Sequence, residues 1–178
     1  MAALATGGQG AFLDLDELSH LAPQTRYVLT LDSDTQLPPG RLRSLVGVAE
    51  HPENQPRLDA TGQRVVQGYG ILQPRVLAPL PTSATTSLWQ WLFAGQQGLD
   101  PYSAMTSDVY QDFFAEGSFT GKGLLHVATV HAVLGGRLPA DQVLSHDLLE
   151  GALARCAVVS DVTLVEAEPE HSAVSYTH

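Results

Sequence analysis

The chain has 178 residues, of which 44% are apolar and 16% charged, and this is typical of one globular domain with a sizeable core. Its 19 acidic and 9 basic residues give a net charge of −10 without a cluster of Lys and Arg, which argues against binding of nucleic acid or of an anionic membrane surface. The single cysteine, Cys156, excludes an internal disulfide and a cysteine-based zinc site. No signal peptide or transmembrane segment is expected, because prolines and glutamines interrupt the longest uncharged span, residues 76–99.

Predicted strands that alternate with predicted helices indicate an α/β layered domain. Residues 1–25 are predicted to be a lead-in segment with a short helical pattern. The predicted elements that follow are a buried strand at 27–31, a helix at 39–50, a polar loop at 51–63, a strand element at 64–74, a helix at 87–93, a Gly-rich loop at 116–123, a helix at 124–134, a helix at 148–155 and a strand at 157–165. Cys156 is expected to be a small core residue just before the last strand.

Two acids, Asp32 and Asp34, follow the first predicted strand and are separated by one residue. Residues i and i+2 of an extended chain point to the same side, so both carboxylates can face one ligand at the sheet edge. Two hard oxygen ligands suit Mg²⁺ or Mn²⁺ shared with a diphosphate. The alternative is a strand-to-helix turn in which an Asp caps the next helix. The pair alone leaves both interpretations open.

Two rival motifs built on the same acids fit worse. A haloacid-dehalogenase-type phosphatase needs Thr or Val four places after its first Asp, where this sequence has Gln36. A calcium-binding EF-hand loop starting at Asp32 needs Gly at its sixth position and Glu at its twelfth, and these are Leu37 and Arg43.

The loop at 117–123 contains three glycines and the Gly-Lys pair of a phosphate-binding P-loop. It has three rather than four residues between its first Gly and that pair, and Gly rather than Ser or Thr after the Lys, which argues against an ATPase. It also lacks the spacing of the Gly-x-Ser-x-Gly elbow of hydrolases. The loop is therefore predicted either to expose its backbone to a polar ligand at a helix start or to be a turn with structural glycines.

Asp147 follows Ser145, a good helix N-cap, and is predicted to lie in the first turn of a helix. A carboxylate there can act as a general base toward a sugar hydroxyl, or it can simply complement the helix dipole. The neighbouring His146 is a candidate ligand or base, and the simplest interpretation makes it an ordinary polar residue at the helix start.

Several long motifs occur in one order and together resemble the glycosyltransferase domain of the cyclic β-1,2-glucan synthases, glycosyltransferase family 84. The resemblance covers residues 26–168 and rests on the segments Arg26–Pro38, Gly68–Arg75, Leu92–Gly95, Asp108–Asp112, Glu116–Gly123 and Leu144–Gly151.

The resemblance implies a partial GT-A-like nucleotide-sugar-binding domain, an α/β fold with a mixed sheet flanked by helices. It also implies transfer of glucose from UDP-glucose to a β-1,2-glucan acceptor with inversion. By position, Asp34 resembles the metal-coordinating acid, Asp32 the acid that contacts the ribose or the Mg²⁺ or Mn²⁺ ion, and Asp147 the catalytic base. The resemblance also implies that the acceptor or donor-sugar pocket is lined by Gly117, Ser118, Phe119, Thr120, Gly121, Lys122 and His146.

The family pattern also has parts that this sequence lacks, namely an earlier nucleotide-binding segment and a later Gln-x-x-Arg-Trp motif. We therefore expect a fragment, inactive or nearly so alone, of a larger enzyme at the cytoplasmic face of the inner membrane, whose remaining polypeptide is its partner. Residues 169–178 are expected to be a tail, and 172–178 match nothing in the family pattern. The alternative function is a non-catalytic carbohydrate- or partner-binding module of the same fold, and a metal-dependent phosphohydrolase is a more remote one.

Overall fold

A computed structural model of the chain describes residues 24–77, 109–137 and 146–166. Within these ranges the strands are β1 (Tyr27–Thr30), β2 (Thr35–Gln36), β3 (Arg57–Leu58), β4 (Val65–Gln67), β5 (Ile71–Leu77), β6 (Gly123–His126) and β7 (Cys156–Glu166). The helices are α1 (Arg41–Ala49), α2 (Val109–Phe114), α3 (Val127–Leu134) and α4 (Asp147–Ala154), and a 3₁₀ turn spans Pro52–Asn54. The predicted lead-in at 1–25 lies almost entirely outside the described residues, as do the helix at 87–93 and the tail at 169–178.

Five strands form one mixed sheet in the order β1-β6-β5-β7-β2, and β3 pairs with β4 in a separate ribbon. The central pair, β5 and β7, is parallel, whereas the other neighbours are antiparallel. The register of the central pair shifts after Pro74, since Pro74 lies opposite Val159 and Arg75 lies opposite Thr163. Proline has no N–H to donate to the ladder, which accounts for an irregularity at this place.

Both faces of the sheet are covered, because successive strand residues enter two different cores. Ile71, Leu125 and Cys156 pack with residues of α3 and α4 on one face. Their chain neighbours Leu72, Leu124 and Ala157 pack with residues of α1 on the other face. The period of two along each strand therefore gives three layers, helix on sheet on helix.

The structure confirms the predicted α/β class with a mixed sheet flanked by helices, the helix near 39–50, the last helix and the last strand. Cys156 is fully buried, as expected. Within the described ranges, no helix has the length and apolar character needed to cross a membrane.

Three details of the prediction were wrong. The first strand is half-buried rather than buried and ends at Thr30. The polar loop at 51–63 contains the 3₁₀ turn and β3. The helix predicted at 124–134 starts only at Val127, because the residues before it form β6, which pairs with both β1 and β5. Tertiary pairing here overrides the helical preference of the Leu-Leu pair.

Candidate functional site

The two predicted acids lie in a tight turn between β1 and β2. The N–H of Thr35 donates to the carbonyl oxygen of Asp32 over 3.1 Å, which closes the turn. The expectation that an extended chain aligns the two carboxylates was therefore wrong, since a turn brings them together instead. The capping alternative was also wrong, because the N-cap residue of α1 is Gly40.

A third carboxylate, Glu166 at the end of β7, completes the acid cluster. One carboxylate oxygen from each of Asp32, Asp34 and Glu166 lies within 4.8 Å of the other two. The pairing of β2 with the end of β7 holds Glu166 there, since Thr35 lies opposite Glu166 and its hydroxyl donates to the Glu166 Oε2 atom over 3.4 Å. Three acids from two distant segments thus share one small volume.

The acid cluster fits a divalent cation of the Mg²⁺ type in ligand chemistry and spacing. Oxygen ligands about 2.1 Å from such an ion lie roughly 3 to 4 Å apart in an octahedral shell. A separation of up to 4.8 Å therefore requires only a small side-chain adjustment. Asp32 is 59% exposed and the side chain of Glu166 28%, so an ion can reach the cluster from solvent and keep some of its water.

Lys122 is the cation that the structure places among these acids. Its Nζ atom lies 2.9 Å from the Oδ2 atom of Asp32 and also contacts the Oε2 atom of Glu166. Burial works to lower the pKa of Lys122, but the hydrogen bonds to Glu166 and Asp32 outweigh it and raise the pKa above its ordinary value. The ammonium is therefore fully charged and offsets part of the negative charge of the cluster.

The Gly-rich loop that carries Lys122 is tied to the sheet at several points. Gly117 donates to the carbonyl of Cys156 over 2.7 Å, and Thr120 donates to the side chain of Gln73 over 2.8 Å. At the end of the loop, the hydroxyl of Thr30 donates to the carbonyl of Gly121 over 2.9 Å. The loop opens onto strand β6, so the predicted helix start that would bind an anion is absent from this place.

The residues predicted to line the pocket differ in their surroundings. Gly117 and Phe119 are buried, and the Phe119 ring packs in the core, whereas Ser118 and Thr120 are exposed. Gly121 and Lys122 are partly buried. Phe119 therefore anchors the loop to the core, whereas the exposed residues Ser118 and Thr120 are accessible to solutes.

Asp147 lies directly against the same loop. It is the first residue of α4, which confirms its predicted position in a helix's first turn, while Ser145 lies outside the described residues. A Cβ atom built on Gly121 would lie 3.4 Å from the Oδ2 atom of Asp147. The φ of Gly121 is +90°, a conformation that glycine adopts readily, and the loop therefore passes the carboxylate without a side chain at this position.

Two neighbours modulate the surroundings of Asp147. His146 occupies the N-cap position, and its Nδ1 atom is buried without a hydrogen-bond partner among the described residues. Burial and, secondarily, the charge of Asp147 raise the pKa of Glu150, one turn along the helix. The first turn of α4, next to the loop, thus carries two carboxyl groups.

Sequence reasoning missed the role of Glu166 and the ion pairs of Lys122. The rule that singled out Asp32 and Asp34, an acid at the end of a strand, applies equally to Glu166, which ends β7. The predicted strand stopped at Val165, one residue short. No local signal identified the partners of Lys122, because they lie 90 and 44 residues away in sequence.

No family model matches this sequence. A stretch of 152 residues, 85% of the chain, is 49% identical to the cyclic β-(1,2)-glucan synthase NdvB of Rhizobium meliloti (strain 1021). The chain spans about 5% of the length of that relative. It is therefore similar, over most of its own length, to one short segment of a cyclic β-glucan synthase.

Proposed function

We propose that the chain forms the donor-binding and catalytic part of an inverting, metal-dependent glucosyltransferase. In this proposal glucose passes from UDP-glucose to a β-1,2-glucan acceptor, in the synthesis of cyclic glucan. The proposal draws on the 49% identity to a cyclic β-(1,2)-glucan synthase and on the chemistry of the site. The larger polypeptide around this segment supplies the remaining contacts and operates at the cytoplasmic face of the membrane.

The observation that carries the proposal is that two consecutive residues of the Gly-rich loop contact the acid cluster and Asp147, respectively. Lys122 binds Asp32 of the acid cluster, and Gly121 lies against Asp147. A transferase needs a donor site and a base close together, because both act on one anomeric carbon. A binding module that had lost catalysis would not need Asp147 at this place.

Each group then has a distinct role. Asp32, Asp34 and Glu166 hold the cation, which when bound offsets the charge that develops on the departing diphosphate. Asp147 accepts the proton of the acceptor hydroxyl on the side next to Gly121. Attack from the side opposite the leaving group is a single displacement, and a single displacement inverts the anomeric centre.

Calorimetry on the 178-residue chain tests the donor site. UDP is expected to bind in the presence of Mn²⁺ and to lose its binding when EDTA removes the metal. Asp34→Asn is expected to weaken UDP binding in Mn²⁺ at least tenfold, about 1.4 kcal/mol. The matched control is Asp161→Asn, which removes the same charge from an exposed position on β7 five residues before Glu166. Metal-independent binding, or equal affinities of the two variants, would overturn the donor-site assignment.

A further inference from the structure

The ammonium of Lys122 already lies within the acid cluster. Its ammonium contacts two of the three carboxylates, Asp32 and Glu166, and its side chain is only 16% exposed. It is also the single lysine of the sequence. A flexible four-carbon stem with a compact charge is suited to reversible contacts of this kind.

A divalent cation and the ammonium compete for the same two carboxylates. The Lys122 Nζ atom contacts the Oδ2 atom of Asp32 and the Oε2 atom of Glu166. A metal ion bound through these two oxygens would lie next to the ammonium, and two cations at such short range repel each other. Binding of the metal through these oxygens therefore favours departure of the Lys122 side chain from both acids.

The backbone under Lys122 is fixed, so only the side chain has to move. On one side, the carbonyl of Gly121 accepts from the hydroxyl of Thr30 over 2.9 Å. On the other side, the N–H of Gly123 donates to the Thr30 hydroxyl oxygen over 3.1 Å. The ammonium that leaves the acids accordingly stays near the cluster, within reach of any anion drawn to the metal.

We propose that Lys122 is an exchangeable internal cation. It neutralises Asp32 and Glu166 in the metal-free chain, is displaced when a divalent cation binds, and then binds the diphosphate of the nucleotide. This inference rests on the metal site of the proposed function and assigns Lys122 a role in binding the donor there.

Amine acylation of the 178-residue chain tests the displacement directly. An acetyl ester of N-hydroxysuccinimide is applied briefly with EDTA, with Mg²⁺, or with Mg²⁺ and UDP, at equal ionic strength. Peptide mass spectrometry then gives the extent of acetylation at Lys122. We expect at least fivefold more acetylation in Mg²⁺ than in EDTA, and protection again when UDP is added. The α-amino group at the start of the chain, which should react equally in all three, is the internal reference.

The Mn²⁺ affinity of the Lys122→Met variant gives a second readout. Removal of a lysine with a merely structural role would not raise this affinity. With its internal competitor removed, the variant is expected to bind Mn²⁺ at least fivefold more tightly than wild type. At saturating Mn²⁺ it is expected to bind UDP at least fivefold more weakly. If the variant fails to fold, the acylation of the wild-type chain decides alone.

The outcomes separate this inference from the function on which it rests. If Mn²⁺ and Mg²⁺ do not bind the wild-type chain at all, both the metal site and the exchange are refuted. If the metals bind while acetylation of Lys122 stays the same with and without Mg²⁺, the exchange is refuted and the donor site stands.

Discussion

A methyl group added at Gly121 tests whether the acceptor binds on the side of Asp147 that faces Gly121. Gly121 has φ +90°, and the added Cβ would lie 3.4 Å from the Asp147 Oδ2 atom, an ordinary contact that forces no displacement. The backbone conformation alone should lower the free energy of unfolding by about 1 to 2 kcal/mol. The methyl group also fills the space that an acceptor hydroxyl must enter, since proton transfer needs a separation of about 2.6 to 3.2 Å.

The matched control is Gly40→Ala, because Gly40 has φ +83° and no atom within 4 Å of its added Cβ. Both variants should therefore lose similar stability in urea denaturation of the 178-residue chain. Activity is measured in a chimera of the Rhizobium meliloti synthase in which the matching segment is exchanged for that of this chain. We expect Gly121→Ala to lower glucan synthesis at least tenfold, or about 1.4 kcal/mol in transition-state free energy, while Gly40→Ala stays within twofold of the parent chimera.

The reasoning would be refuted by a Gly121→Ala chimera that is as active as the Gly40→Ala chimera. Such a result would mean that the acceptor approaches Asp147 from another side or that Asp147 does not meet it. A loss of activity in both chimeras, matched by equal loss of folded protein, would trace the effect to backbone strain alone.

Three further predictions concern catalysis, pH and packing. Asp147→Asn should lower glucan synthesis by the chimera at least a hundredfold and leave UDP binding by the 178-residue chain unchanged, because the base acts on the acceptor. Acidification from about pH 7.5 to about pH 5 should destabilise the chain, because burial and a nearby guanidinium hold the pKa of His126 below its ordinary value. Protonation also removes the Nδ1 acceptor that caps α3. His126→Asn keeps a cap worth about 1 kcal/mol and should flatten this part of the profile in thermal melts. Gly68→Ala should cost more than 3 kcal/mol in urea denaturation, because its Cβ would overlap the carbonyl of Gln55, whereas Gly62→Ala, with a similar φ and open space, should cost about 1 kcal/mol.

The opposite results are equally clear. Weakened UDP binding in Asp147→Asn would place this acid in the donor site. The sign of the pH effect follows from the lowered pKa: the unfolded chain takes up the proton of His126 first, so this contribution to stability is present at neutral pH and lost in acid. Stability that rises on acidification in wild type but not in His126→Asn would contradict it. Equal costs for Gly68→Ala and Gly62→Ala would contradict the packing around Gly68.

Local signals in the sequence were enough for most elements of the fold. Pro38-Pro39 and the apolar spacing that follows set the place of α1, and the β-branched run after Cys156 set β7. They failed at Leu124 and Leu125, where an equally helical sequence is drawn into β6 by pairing with β1 and β5. Two consecutive apolar residues show no alternation of apolar and polar positions, so they give no pattern from which such a strand could be predicted.

The candidate site was predictable only in the parts that a motif carries. Asp32 and Asp34 are separated by a single residue, but the turn that joins them depends on Thr35, which pairs with Glu166 131 residues away. Likewise, nothing near Gly121 indicates that Asp147 faces it. Sites formed by residues that are distant in sequence leave no local pattern, so they can be recognised only in the structure.

The pairing of β2 with the far end of β7 has a consequence for folding kinetics. The acid cluster cannot exist before residues at both ends of the described chain have met, and closing so long a loop is entropically costly. If the acid cluster binds Mn²⁺ as proposed, the metal would bind during refolding only after β2 has paired with β7. The onset of metal binding would thus report this long-range pairing rather than the formation of a single hairpin.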